Sequence, residues 1–292
     1  MCFFFITEVI AHRFYARGCS YSWCRAVDDL IDEAPSPEQA AANLDLIARY
    51  LDFAYASPAS PAPRALTAAH EAELDQLLAL FPAHFRPAFR LLTQLPLPRG
   101  PLDELVAGFK IDLAFTGAPS GKATVIATET DLDAYASNVA SSVADLCVRL
   151  AWARTTEPLP TPKKADGIVR DARKMGQALQ LVNIARDVPA DARIGRVYLP
   201  GVSLDAVKTP EGLQQATQAR RALLARARAM AAESEGAIER LPREVRGGMR
   251  AACQVYLEIG EAVEAALIGG NVGERARVTK AQRVRTAWRA LA

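Results

Sequence analysis

Gln180-Leu-Val-Asn183-Ile-Ala-Arg186-Asp187-Val-Pro-Ala-Asp191, running on through Arg193 and Arg196 to Tyr198, reads as a helix with one acidic face. Leu179, Leu181, Val182 and Ile184 frame it with apolar residues. Asn183, Asp187 and Asp191 share a side because residues four apart stack along a helix. An earlier stretch answers it: Tyr21-Ser-Trp-Cys-Arg25-Ala-Val-Asp28-Asp29-Leu-Ile-Asp32-Glu33. Each carries two aspartates at i and i+4 with an arginine just upstream. Carboxylates so placed lie about 5–6 Å apart between Cβ atoms and repel by a few tenths of a kcal/mol. One such pair is ordinarily a solvated helix face. Two of them, both set in apolar helices, point to a cation shared between facing walls.

Half of the 292 residues are hydrophobic, enough for a sizeable core. The formal charge of +2 makes no general case for nucleic acid as a partner. Five scattered cysteines (Cys2, Cys19, Cys24, Cys147, Cys253) form no Cys-x-x-Cys and read as small core residues of a reducing compartment. His12, His70 and His84 have no metal-ligand spacing, which argues against zinc. No apolar run reaches the roughly 18–20 residues of a spanning helix. Met1–Ala11 is a poor signal peptide, with no basic start and an interruption at Glu8, and reads as part of a buried first helix. The expected location is therefore intracellular, cytoplasmic or peripheral on a membrane.

Helices are predicted over 2–17 and 18–33, the second ending before Pro35. Ser36 and Pro37 supply an N-cap and a first-turn proline for a helix to Tyr55, striped by Leu44, Ile47, Leu51 and Ala54. Ser57–Pro63 is a loop. Further helices are predicted over 66–81, 83–95 and 102–115, the last with Leu105, Phe109 and Asp112 on one face. Residues 116–130 form a long loop, then 131–155 a helix opened by Asp131. Residues 165–188 form the second acidic helix, 196–212 a loop, and 213–240, 243–268 and 277–291 the last helices. Strand signals are nearly absent, and neither a repeat nor a linker divides the chain. The expected fold class is all-α, one helical domain spanning residues 1–292.

Magnesium prefers oxygen ligands, keeps several waters and is held by one or two carboxylates together with substrate phosphates. Two carboxylate pairs on opposite walls suit two or three Mg²⁺ ions bridged by a diphosphate. Arg25, Arg186, Arg193 and Arg196 are candidates for the forked phosphate contacts that lysine cannot make. Neutralising a departing diphosphate is electrostatic and Lewis-acid catalysis, and the carbocation left behind needs a dry apolar pocket.

Ordered along the chain are Tyr21-x-x-x-Arg25-x-x-Asp28-x-x-x-Asp32, Gly108-Phe-Lys-Ile-Asp112-Leu and Tyr135-Ala-Ser-Asn-Val-Ala140. Gln180-x-x-Asn183-x-x-Arg186-Asp187-x-x-x-Asp191 and Gly195-Arg196-Val-Tyr198-Leu-Pro200 complete the set. Together, over about residues 15 to 260, they resemble the squalene and phytoene synthase family, head-to-head prenyl synthases with the isoprenoid-synthase bundle around a central cavity. The Asn-Ile-Ala-Arg-Asp wording and Val278-Thr-Lys-Ala look most like the fungal phytoene synthases, including those fused to a lycopene cyclase.

The resemblance implies condensation of two geranylgeranyl diphosphates to phytoene through prephytoene diphosphate, in carotenoid biosynthesis. It implies Mg²⁺ on Asp28, Asp32, Asn183, Asp187 and Asp191. Tyr21, Arg25, Asp29, Gln180, Arg186, Arg196 and Tyr198 would serve substrate, diphosphate or metal-bound water, and Tyr135 would stand near the reacting carbons. Peripheral membrane contact follows from the insoluble product, and fusion to or association with carotenoid-pathway enzymes from the fungal likeness.

The chain departs from the family in three places. Pro189-Ala190 stands where Gly-Glu is usual, and the proline is expected to loosen or kink the helix between the two aspartates. Ser141 replaces a glycine, which is expected to narrow the cavity. No counterpart of an early Ser-Phe segment precedes Tyr21, so Cys2–Ala11 replaces it or the chain lacks part of a longer protein.

Asp28-Asp29-Leu-Ile-Asp32 also reads as the Asp-Asp-x-x-Asp of chain-elongating prenyltransferases and terpene cyclases, which the second stretch does not fit. A C30 synthase using farnesyl diphosphate is the nearer alternative. Squalene synthase itself needs NADPH and usually a C-terminal anchor, whereas Arg275–Ala292 is basic and amphipathic. A non-catalytic assembly protein of the same fold is the alternative from a different class.

Overall fold

A computed structural model describes residues 20–117 and 125–291, and among them every regular element is a helix. The helix predicted over 2–17, Cys2, Cys19, the Tyr21 side chain and positions 118–124 of the predicted loop lie outside the described residues.

The first helix, α1 (Ser20–Asp32), is followed by α2 (Pro37–Ala54), α3 (Ala68–Ala79), α4 (Arg86–Leu92) and α5 (Gly100–Gly117). Ser36 caps α2 as expected, its hydroxyl accepting from the Gln39 amide at 3.2 Å. These helices close over one core. Trp23, Ile47, Tyr50, Phe81, Phe89 and Leu102 are all buried there. Phe81 stacks on Phe89 at 4.0 Å, and the Tyr50 hydroxyl donates to the Phe89 carbonyl at 2.5 Å.

The predicted helix over 131–155 begins earlier and is not uniform. It comprises α6 (Glu129–Ala136), a π-helical turn (Ser137–Ser141) and α7 (Ser142–Arg154). Thr128, not Asp131, is the N-cap; the Asp131 carboxylate reaches back to the Thr128 amide at 2.8 Å, completing a capping box.

The long helix α8 (Pro162–Arg193) extends beyond the predicted 165–188 at both ends and passes through Pro189. The helix is not interrupted between the two aspartates. The predicted loop 196–212 holds two short helices, α9 (Leu204–Val207) and α10 (Pro210–Gln215), capped by Ser203 and Thr209. Gly212 allows their close approach, since a Cβ there would meet the Ala206 carbonyl oxygen at 1.6 Å. The predicted helix over 213–240 divides into α11 (Thr217–Ser234) and a 3₁₀ stretch (Glu235–Arg240). Then come α12 (Arg243–Ile268) and α13 (Lys280–Leu291).

A second core gathers Leu179, Leu181, Val182 and Ala185 of α8 with Leu223 and Leu224 of α11 and Tyr256 and Val263 of α12. Between the two cores lies a cavity.

Candidate active site

The cavity, about 360 Å³, is bounded by α1 on one side and α8 on the other. On α1 the i, i+4 spacing turns Asp28 and Asp32 to it, with Arg25 one turn earlier. On α8 Gln180, Asn183, Ile184, Asp187 and Asp191 follow one stripe of helical period into the same space. The apolar lining is Leu105 and Phe109 from α5, Val139 from the π-helical turn, Val143 from α7 and Ile184 from α8. Asp112, Tyr135, Arg196, Tyr198 and Arg275 also line it, with Cys24, Ala190 and Ile194.

The two acidic walls are linked by arginine. Arg196, just past the end of α8, sits 3.7 Å from Asp32 of α1. Arg25 forks to Asp28 at 3.2 Å and, through Nε, to Asp29 at 2.9 Å. Arg275 grips Asp187 with Nε at 2.6 Å and Nη2 at 3.2 Å, and Arg186 holds the same carboxylate at 2.8 and 2.6 Å. Deeper in, the Tyr198 hydroxyl donates to Asp112 at 2.7 Å, and the Tyr135 and Tyr198 rings stack at 4.8 Å.

Burial raises the Asp191 carboxyl to about 7, with the negative charge of Asp187 adding to it. Burial likewise lifts Asp112 to about 6 against the opposing pull of Arg196 and the Tyr198 hydroxyl. Asp28 is also raised by burial. Burial pushes Asp187 in the same direction, but Arg186 and Arg275 outweigh it and hold that carboxyl below its ordinary value. Burial is what lifts Asp191, Asp112 and Asp28, and a cation in the cavity would favour their charged forms.

Two neutral oxygens bear on the same cation. Gln180 Oε1 and Asn183 Oδ1 are buried on the cavity wall with no hydrogen-bond partner among the described residues. A buried acceptor without a donor is costly, and a hard cation or its water shell relieves it. Among the described residues no three acidic, histidine or cysteine side chains converge into a ready-made metal cage. The oxygens instead form two half-sites across a gap, which fits magnesium completed by substrate phosphate and water.

The cavity thus gathers Arg25, Asp28, Asp32, Tyr135, Gln180, Asn183, Asp187, Asp191, Arg196 and Tyr198. Three expected contacts are not brought to it. Asp29 turns aside to Arg25, one residue being a rotation of about 100° on a helix. Arg186, next to Asp187, faces a separate basic hollow with Arg275, Arg277 and Arg283. Arg193 is exposed at the end of α8. Ser141 does not narrow the cavity; its hydroxyl donates to the Arg173 carbonyl at 2.8 Å. Arg275 carries no signal in the sequence, since it belongs to no recurring spacing and reaches Asp187 from the loop before α13.

A profile of the squalene/phytoene synthases matches residues 16–282. The bifunctional lycopene cyclase/phytoene synthase of Gibberella fujikuroi is 38% identical over 278 residues, 93% of this chain and 46% of its own length. That of Phaeosphaeria nodorum is 39% identical over 280 residues, covering 93% of this chain and 45% of the relative. The chain spans about half the length of these curated relatives, 46% of the first. Among solved structures, a dehydrosqualene synthase in complex with ligand superposes with a TM-score of 0.66 at 22% identity, over 99% of this chain and 88% of that one. A squalene synthase from Alicyclobacillus acidocaldarius gives 0.57 at 23% identity, over 91% and 88%. At these identities the structural likeness is one of fold.

Proposed function

The chain belongs to the squalene/phytoene synthase family, and from that premise we propose that it joins two geranylgeranyl diphosphates head to head to make phytoene. The observation that carries this reading is the pair of acidic walls, Asp28/Asp32 and Asp187/Asp191, opening onto one cavity with an apolar lining. The family uses a divalent metal. Here Asp28, Asp32, Asn183, Asp187 and Asp191 would hold magnesium, two or three ions with the substrate as bridge. When bound, the metal supplies positive charge to the leaving diphosphate.

The chain's own groups do the rest. Arg25 and Arg196, each beside an α1 carboxylate, are placed to donate to phosphate oxygens. Leu105, Phe109, Val139 and Val143 keep water from the allylic cation formed when the first carbon–oxygen bond breaks. The double bond of the second substrate attacks that cation, and proton loss closes the cyclopropane of prephytoene diphosphate. Loss of the second diphosphate, rearrangement and a final proton loss give phytoene. The stacked Tyr135 and Tyr198 rings present electron-rich faces to cationic carbon on this path.

The experiment is incubation with geranylgeranyl diphosphate and Mg²⁺, followed by extraction. A C40 hydrocarbon whose formation stops with chelator is expected. Product from farnesyl diphosphate alone reassigns the chain to C30 synthesis, and no product with no magnesium-dependent diphosphate binding supports a non-catalytic assembly role.

The fungal relatives join this kind of unit to a lycopene cyclase, and association with such a partner belongs to the same reading. So does peripheral contact with a membrane. Among the described residues no helix is long and apolar enough to cross one. On α13, however, Val284, Trp288 and Leu291 are exposed at 60%, 76% and 47%. Lys280, Arg283, Arg285 and Arg289 accompany them, with no acidic residue in the helix. Tryptophan beside arginine on one helical face suits an anionic lipid surface.

A further inference from the structure

α8 continues through Pro189 although its hydrogen-bond ladder cannot. The amide of residue 189 would ordinarily bond to the carbonyl of residue 185. Proline has no such hydrogen, and its ring presses on that same carbonyl. Ala185 is wholly buried, so bulk water is not at hand to take the bond. The carbonyl is satisfied all the same. Arg220 of α11, 2% exposed, donates from Nε to the Ala185 oxygen at 2.8 Å. Its Nη1 donates to the Val272 oxygen, also at 2.8 Å, in the loop between α12 and α13.

The two carbonyls flank the cavity wall in sequence. Ala185 lies two residues before Asp187, and Val272 lies three before Arg275, which grips Asp187 at 2.6 Å. One guanidinium thus ties down both segments whose side chains meet at that carboxylate. Burial lowers Arg220 to about 10, against the opposing charge of Asp187, and it stays a cation at neutral pH.

We propose that Arg220 stands in for the amide that Pro189 lacks, and is thereby the positioning residue that sets Asp187 and Arg275 against each other. The proline that removes a helix bond across Asp187 and the arginine that replaces it act as one unit. The positioning role rests on the function proposed above; the pairing of Arg220 with Pro189 does not.

The test is a double-mutant cycle of Arg220→Met and Pro189→Ala, since alanine restores the amide and gives the Ala185 carbonyl its helical partner. Binding of inorganic diphosphate with Mg²⁺ is measured by calorimetry, well below each variant's melting temperature, and thermal unfolding is followed in parallel. Arg220→Met is expected to weaken binding on the order of tenfold, the scale of one unmatched buried acceptor. Pro189→Ala alone should change it little, and the double variant should recover the share of the loss that comes from Ala185, the Val272 carbonyl staying without its guanidinium. Arg220→Lys keeps the charge without the fork and should fall between.

Equal losses with and without Pro189→Ala overturn the pairing. A lowered melting temperature with unchanged binding overturns the positioning role. Should Arg220→Met fail to fold, recovery of folding in the double variant supports the pairing, and its failure too overturns it. Wild-type protein that binds no magnesium diphosphate sinks the proposed function and the positioning role with it, while the thermal cycle still decides the pairing.

Discussion

Asp187 and Asp32 occupy facing walls but differ in what holds them. Asp187 is buried, and each of its oxygens already accepts from both Arg186 and Arg275, so a cation bound there displaces one of those contacts. Asp32 is 37% exposed, with Arg196 at 3.7 Å. Asparagine at either position should lower turnover on the order of a hundredfold, as removal of one stabilising contact to a developing anion does. Only Asp187→Asn should also cost stability, about 1–3 kcal/mol, because it weakens a buried arginine cluster. Steady-state kinetics with calorimetric melting separates the two. Asp112 adds a pH signature. Its folded value, about 6, lies above the unfolded carboxylate range near ~3.9. Its contribution to stability is therefore full at low pH and lost as pH rises through about 6. Asp112→Asn should flatten that part of the melting-temperature profile of the metal-free protein, and an unchanged slope would contradict the assignment. That Asp28, Asp32, Asp187 and Asp191 line one cavity was legible at this scale because i, i+4 spacing decides which side chains share a face. The directions of Asp29 and Arg186 were not, since each adjoins a cavity residue and only packing selects which neighbour turns inward.

At the scale of the element, α8 and its crossing with the π-helical turn carry the site. Gly176 makes that crossing possible: a Cβ there would meet the Ala140 carbonyl oxygen at 2.6 Å and the Ala144 Cβ at 3.0 Å. Gly176→Val should therefore push the two helices apart and destabilise by about 1–3 kcal/mol, the usual scale of overpacking, read as a fall in melting temperature. A variant as stable as the wild type would show the crossing to be looser than described. Helix type and order followed from apolar periodicity, whereas helix ends did not. Pro162 starts α8 earlier than its periodic residues suggest, because proline suits a first turn. Thr128 starts α6 because its hydroxyl and Asp131 cap each other. Pro189 was the largest local conflict. Proline in a helix interior argues for a break, and the arginine that overrides it lies on another helix, beyond the reach of local pattern.

Across the whole molecule, two apolar cores carry the two acidic walls, and the gap between the cores is the site. The all-α class and the facing of the walls were both anticipated, the second by the chemistry two acidic helices require rather than by any contact readable along the chain. The exposed face of α13 is the other large-scale feature, and Trp288→Glu with Arg285→Glu should reduce co-sedimentation with vesicles of mixed phosphatidylserine and phosphatidylcholine severalfold. Binding that ignores both the substitutions and the salt concentration would remove α13 as the contact. The central claim, that the walls clasp the same phosphate-bound cations, is met most directly by a crystal structure with geranylgeranyl thiodiphosphate and Mn²⁺ in place of Mg²⁺, using the anomalous signal of the metal. The account predicts manganese peaks between a thiodiphosphate and both walls, with Asp28 or Asp32 and Asp187 or Asp191 as ligands. Peaks on one wall alone, or a thiodiphosphate bound away from both, would contradict it.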